Sequence, residues 1–159
     1  RTTRAGLDAV RDHFHGEVVL IETREPAFHG NMAVLPLDAV DTLVVCPEVL
    51  VGDSLVRLAS RFGRDALLEV SESQIREYVT NGLPMGRDLL APTVTSTEAL
   101  APLAARGVEV VRVDLSELCD KAGGASRCLV SRATIDLARH PVPEYATLSV
   151  VSAQIDGEG

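Results

Sequence analysis

A chain of 159 residues, 46% of them apolar and 24% charged, is long enough to enclose a hydrophobic core and has the balance of a globular protein. Its formal charge of -8 and pI near 4.9, with no basic residues gathered into a stripe or run, argue against a nucleic-acid backbone as partner. No apolar run approaches the ~18 residues that span a bilayer, and no charged segment leads into an apolar one at the start, so no membrane association is expected.

In chain order, the first expected element is a helix over residues 6–15 with Leu7, Val10 and Phe14 on one face. Gly16 ends it, and residues 17–21 follow as an extended apolar run. Residues 33–37 turning into 42–45 then read as an extended pair. A second helix places Leu55, Leu58, Ala59 and Phe62 at i, i+3, i+4 and i+7, ends at Gly63 and leads into the run 66–70. A second extended pair joins 83–85 to 89–92. The third helix carries Leu100, Leu103 and Ala104, ends at Gly107 and leads into 108–113; Pro102 within it should kink or shorten it. The helix-ending glycines recur at roughly 45 residues, so the chain reads as about three copies of a strand-strand-helix-strand module. The plainer alternative is an α/β sandwich with coincidental spacing. In a radial array of such modules, the segment after each unit's last strand points to the centre. That would bring His29, Thr80-Asn81 and Cys128 together.

Cys46, Cys119 and Cys128 are odd in number and widely spaced, which excludes a disulfide framework or a metal knuckle and fits a reducing, cytoplasmic setting. The histidines are scattered apart from His13 and His15, so no metal is expected, and no glycine-rich phosphate motif implies a nucleotide cofactor. His13 and His15 suit a solvated helix end, and His140 before Pro141 suits the surface. Cys46 and Cys119 lack glycine turns and read as small buried side chains. Cys128 differs, entering an expected strand from the turn Gly123-Gly124-Ala125-Ser126-Arg127-Cys128-Leu129, where the glycines permit close backbone approach. Arg127 beside it either points inward and stabilises a thiolate or lies outward in solvent. His29, in Phe28-His29-Gly30-Asn31, occupies a loop-to-strand transition, an address common for functional groups but also for a structural histidine. Brought together, a thiol and an imidazole make a covalent catalyst.

Arg1-Thr2-Thr3, Phe28-His29-Gly30-Asn31, Val79-Thr80-Asn81 and the glycine-rich Cys128 segment, in this order and spacing, resemble the C-terminal part of the guanidino-group-modifying enzymes. Within that superfamily the likeness is greatest to the dimethylarginine dimethylaminohydrolase branch, and it covers residues 1–132. The resemblance implies an α/β fold of pentein-like (β/α-propeller) modules, about three of the five that complete the ring. It implies Cys128 as the nucleophile that attacks the guanidinium carbon and His29 as the acid/base that protonates the departing amine. Arg1, Asn31 and Asn81 are implied as substrate-binding residues. Arg1 matches the arginine of an Arg-Thr-Asn stretch that binds the substrate carboxylate, with Thr3 in place of the asparagine. Asn31 stands where arginine deiminases and amidinotransferases carry Asp, which favours the dimethylarginine branch or a changed substrate.

The implied activity is cofactor-independent hydrolysis of C–N bonds in arginine-like guanidines through a covalent thiouronium. The same Cys/His pair would serve an amidinotransferase, and a non-catalytic pentein-like binding module is the alternative of another class. The expected partner is a small guanidine, with neither nucleic acid nor membrane. The modules that supply the acidic residues gripping the guanidinium have no counterpart here, which implies a fragment, a second chain or a homo-oligomer. Residues 133–159 are expected as a C-terminal extension, with a strand over 145–151 that covers the open side and a disordered end over 156–159.

Overall fold

The computed structural model describes residues 3–11 and 17–130. Arg1, His13, Phe14, His15, Gly16 and His140 lie outside the described residues, as do the boundary at residue 132, the strand expected over 145–151 and the chain end.

Helix α1 (Arg4–Arg11) is started by Thr3, whose Oγ1 accepts a hydrogen bond from Gly6 N at 3.1 Å. The apolar run after it does not become a strand. The first ladder is β1 (Glu22–Thr23), because the backbone available for pairing is the equally short β4 (Leu50–Val51), in antiparallel register Glu22↔Val51. Val19 and Ile21 instead pack as side chains onto a small cluster of Leu43, Val45, Leu58 and Leu67.

A single helical turn, α2 (Gly30–Ala33), leads into β2 (Val34–Leu37), which pairs antiparallel with β3 (Thr42–Val45). From β3 the chain passes through β4 and α3 (Ser54–Phe62) to β5 (Leu67–Glu69), which lies parallel to β3 in register Leu43↔Leu67. A parallel neighbour requires such a helical crossover. Being central, β3 is buried on both faces. Leu43 and Val45 meet the cluster that contains Leu58 of α3, while Val44 enters the main core.

After α4 (Glu72–Arg76) the plan repeats. β6 (Leu83–Met85) pairs antiparallel with β7 (Asp88–Pro92), α5 (Thr97–Ala105) crosses over, and β8 (Glu109–Val113) lies parallel to β7 in register Asp88↔Glu109. Helix α6 (Ser116–Ala122) follows. The two three-stranded sheets thus share one topology, and Gly63 and Gly107 leave α3 and α5 with the same φ of +84°, a conformation open to glycine. Only two full copies of the expected module are formed by the described residues, since the first segment contributes α1 and a strand outside both sheets. Pro102 does not shorten α5, which matches α3 at nine residues. The main core joins both units: Leu35, Val44 and Ile75 pack with Leu89, Leu100 and Leu103. Among the described residues no helix is long and apolar enough to cross a membrane.

Glu77 ties the units together. Its carboxylate accepts from Ser96 N at 3.0 Å, and its backbone carbonyl accepts from Thr95 Oγ1, at the residue pair that opens α5. Hydrogen bonds from Ser96 hold the Glu77 carboxyl below the usual carboxylate range. A depressed carboxyl stabilises the fold above its unfolded pKa of about 4.3 and loses that contribution as pH falls through the folded value. Glu77→Gln is therefore expected to flatten the acid limb of a stability-against-pH curve measured by urea denaturation. An unchanged slope below about pH 4.3 would show that the Ser96 bond does not discriminate charge.

Candidate active site

Three helical turns carry the residues that the sequence analysis singled out. They are α2, a 3-10 turn at Val79–Asn81 and a 3-10 turn at Ser126–Leu129. The first two directly precede β2 and β6, and the third ends in the extended Val130. Tyr78 enters the second turn at φ 65°, strained for a side chain with a Cβ, and its hydroxyl donates to Cys119 O at 2.7 Å.

The turns are tied to one another in a closed circuit. Thr80 Oγ1 donates to Met32 O at 2.6 Å, joining the second turn to α2. Asn81 Oδ1 accepts from Ala125 N at 2.8 Å and Asn81 O from Ser126 Oγ at 3.4 Å, joining the second to the third. Arg127 Nη1 donates to Val34 O at 2.6 Å and Thr80 O at 3.5 Å, returning from the third turn to the other two. Ser126 Oγ also accepts from Leu83 N, and its single proton goes chiefly to Leu90 O at 2.6 Å with Asn81 O as the longer, shared acceptor, which locks the third turn onto β6 and β7.

Cys128 therefore sits in a turn closed by Cys128 N donating to Ala125 O, and not in the strand expected for it. The side-chain bonds of Ser126 and Asn81 provide the reason, since they hold the backbone curled where the local pattern alone reads as extended. Gly124 is buried beneath it, and a Cβ there would stand 2.9 Å from Cys128 Cβ and 3.2 Å from Sγ. Only a hydrogen leaves room for the cysteine. Asn31 Nδ2 donates to Cys128 Sγ at 3.4 Å, and Asn31 Oδ1 is buried with no hydrogen-bond partner among the described residues.

His29 is the N-cap residue of α2, but its side chain does not cap the helix. Its ring packs against Phe28 with centroids 4.8 Å apart, and Phe28 in turn lies against Gly123. Phe28, His29, Asn31, Gly124, Arg127 and Cys128 line one open cleft of about 360 Å³. The Phe28–Asn31 segment also borders a larger cavity of about 670 Å³, whose lining includes Glu22 and Thr23. Cys128 is exposed, whereas Cys46 and Cys119 are buried and burial pushes both thiols up. The cleft thus presents an exposed cysteine, an amide donor on its sulfur and a histidine among the residues that line it, the components of nucleophilic catalysis on a polar carbon.

The fold brings Cys128, His29 and Asn31 together across nearly 100 residues of chain, a separation of 97 for the Asn31 bond. Asn81 stands behind the cleft, fully buried, with its oxygen engaged by Ala125 N and its Nδ2 without a partner among the described residues. Arg1 lies outside the described residues. Arg127 points inward, yet toward backbone carbonyls. Thr80 was expected at the centre with Asn81 and does join two of the turns, whereas Ser126 and Phe28 were given no role in the sequence analysis. The available signal was position, since Ser126 and Phe28 lie within the same short segments as Cys128 and His29.

No protein-family model matches the chain. The Caenorhabditis elegans protein ZK1307.1 is 31% identical over 120 residues, which make up 73% of this chain and 40% of that protein. Among solved structures, the product-bound N-terminal domain of ArgZ, an arginine dihydrolase from the ornithine-ammonia cycle in Cyanobacteria, matches with a TM-score of 0.75. That match covers 83% of this chain and 48% of the other at 22% identity. A cysteine-to-serine variant of the same domain bound to its substrate gives 0.71 over 80% and 46%, at 20% identity. The chain spans about two fifths of the worm protein and about half of the ArgZ domain. These likenesses establish a mixed α/β fold shared with the N-terminal domain of ArgZ.

Proposed function

We propose that this chain carries the nucleophile and proton-shuttling residues of a hydrolase acting on arginine-like guanidines. The observation that supports it most is the convergence of Cys128, Asn31 and His29 on one cleft, with an amide N–H on the sulfur. The shared fold with an arginine dihydrolase domain adds to it.

In this reading the Cys128 thiolate attacks the guanidinium carbon and forms a C–S bond. The tetrahedral adduct collapses by breaking a C–N bond, and His29 gives its proton to the nitrogen that leaves as an amine. The resulting S-alkylthiouronium is attacked by water, from which His29 takes a proton. The C–S bond then breaks, returning the thiolate and releasing a urea-type product. Imidazole suits both proton transfers because it titrates near neutrality. Asn31 orients the sulfur and offers its unpartnered Oδ1 to an N–H of the substrate, while Arg1 binds the substrate carboxylate. Asn81 contributes from behind, by holding Ala125 in place.

The two sheets of like topology, with the first segment, are read as three of five pentein-like modules. The remaining modules, from the rest of a longer protein or from a second chain, supply the carboxylates that grip the guanidinium. The setting is cytoplasmic and no cofactor takes part.

The test is intact-mass analysis after incubating the protein with 2-chloroacetamidine, an electrophile shaped like a guanidinium. The expected result is one adduct, at Cys128, suppressed by a methylated arginine. Slow labelling of Cys46, Cys119 and Cys128 alike, indifferent to the methylated arginine, would overturn the reading.

A further inference from the structure

Two consecutive residues of the third turn grip α2 and its exit. Arg127 Nη1 donates to the carbonyl of Val34, the C-cap of α2, and Cys128 Sγ accepts from Asn31 within it. The same Arg127 nitrogen reaches Thr80 O, so one guanidinium holds the backbone of both other turns. This is a costly way to join loops. Arg127 is partly buried without a carboxylate to neutralise it among the described residues, and burial holds its guanidinium below the ordinary arginine range. A cation in such surroundings is destabilising unless its hydrogen bonds are well made, and a neutral donor would join two carbonyls at less expense. The other titratable groups about Cys128 are His29, which lines the same cleft, and Tyr78 from the second turn. Neither is bonded to the carbonyls that Arg127 holds. A rigid planar donor, with its reach set by the residue next to the nucleophile, fixes a distance in a way that flexible contacts do not.

We propose that Arg127 is a positioning residue, which by bonding Val34 O and Thr80 O sets the Cys128 sulfur against Asn31 and His29. Its consequence for turnover rests on the guanidine hydrolase reading, but its geometric content does not. The separating experiment is a double-mutant cycle on the rate of Cys128 alkylation by iodoacetamide, using Asn31→Ala with and without Arg127→Met, in the full protein. Asn31→Ala is expected to change the labelling rate about fivefold with Arg127 present and less than about twofold with Arg127→Met, because contacting groups couple and separated ones do not.

Arg127→Lys keeps the charge and reaches one carbonyl, and is expected to restore about half of that coupling on a logarithmic scale. It is read against the same criterion should Arg127→Met not fold. With a methylated arginine as substrate, Arg127→Met is expected to lower kcat more than about tenfold while KM stays within about threefold, the signature of lost alignment and not of lost binding. A wild-type protein that turns over no guanidine would remove the proposed function and leave the labelling cycle readable. Equal effects of Asn31→Ala in all three backgrounds would overturn the positioning role.

Discussion

Cys128→Ser is expected to lower turnover of a methylated arginine by at least about a thousandfold, in keeping with the loss of a covalent nucleophile in other enzymes. A serine hydroxyl ionises far less readily than a thiol, so it needs a base hydrogen-bonded to it. The bond made to Cys128 Sγ here is a donated amide N–H from Asn31, which removes no proton. The substitution changes one exposed atom, so the fold and substrate affinity should persist. Urea midpoints and the binding of a methylated arginine to the variant, followed by calorimetry, check both. Turnover within tenfold of wild type, as a measured outcome, would mean that another group forms the bond to carbon.

Gly124→Ala tests the packing beneath the nucleophile. The added methyl would lie 2.9 Å from Cys128 Cβ and 3.2 Å from Sγ, closer than carbon atoms tolerate, so one side has to move. Ala125 is held by Asn81, Ser126 by Leu83 and Leu90, and Arg127 by Val34 and Thr80. The Cys128 side chain, bonded among the described residues to Asn31 at 3.4 Å, is the least tethered of these and is the member expected to shift. Misalignment of a reacting atom by about an ångström costs on the order of a hundredfold in rate, while overpacking of this size costs about 1–3 kcal/mol of stability. The expected outcome is thus a kcat reduced about a hundredfold with the fold retained. A variant with unaltered kcat and a large loss of stability would show that the strain is relieved in the tethered residues instead.

The elements that could be read from the sequence are those whose cause is local. Helix α3 was legible because Leu55, Leu58, Ala59 and Phe62 share one face and Gly63 follows. The β2/β3 and β6/β7 pairs were legible because the segments between them are short, and antiparallel neighbours need no more. The 17–21 run misled because apolar content is the same signal for a strand and for side chains that merely cover a cluster. Cys128 was placed in a strand for a related reason. Leu129 and Val130 favour extension, and the bonds that curl the chain come from residues 36 to 45 positions away.

Of the candidate site, Cys128 was distinguishable in sequence from Cys46 and Cys119 by its glycines, and His29 and Asn31 by the resemblance they carry. The inward turn of Arg127, left open between solvent and cleft, was settled by carbonyls 93 and 47 residues distant. Asn81, implied by the resemblance as a substrate-binding residue, lies buried under the nucleophile's turn, where its oxygen meets the backbone N–H of Ala125.

By itself the sequence determined the class of fold, the helices and strand pairs, and which thiol differs from the others, since periodicity, glycine at helix ends and neighbouring residues act over a few positions. Only the tertiary structure decided that three turns meet, that the sulfur accepts from Asn31 and that Arg127 joins the circuit. Those contacts close loops of 44 to 97 residues, and which backbone group satisfies a buried donor is chosen by packing between units that no short stretch of chain contains.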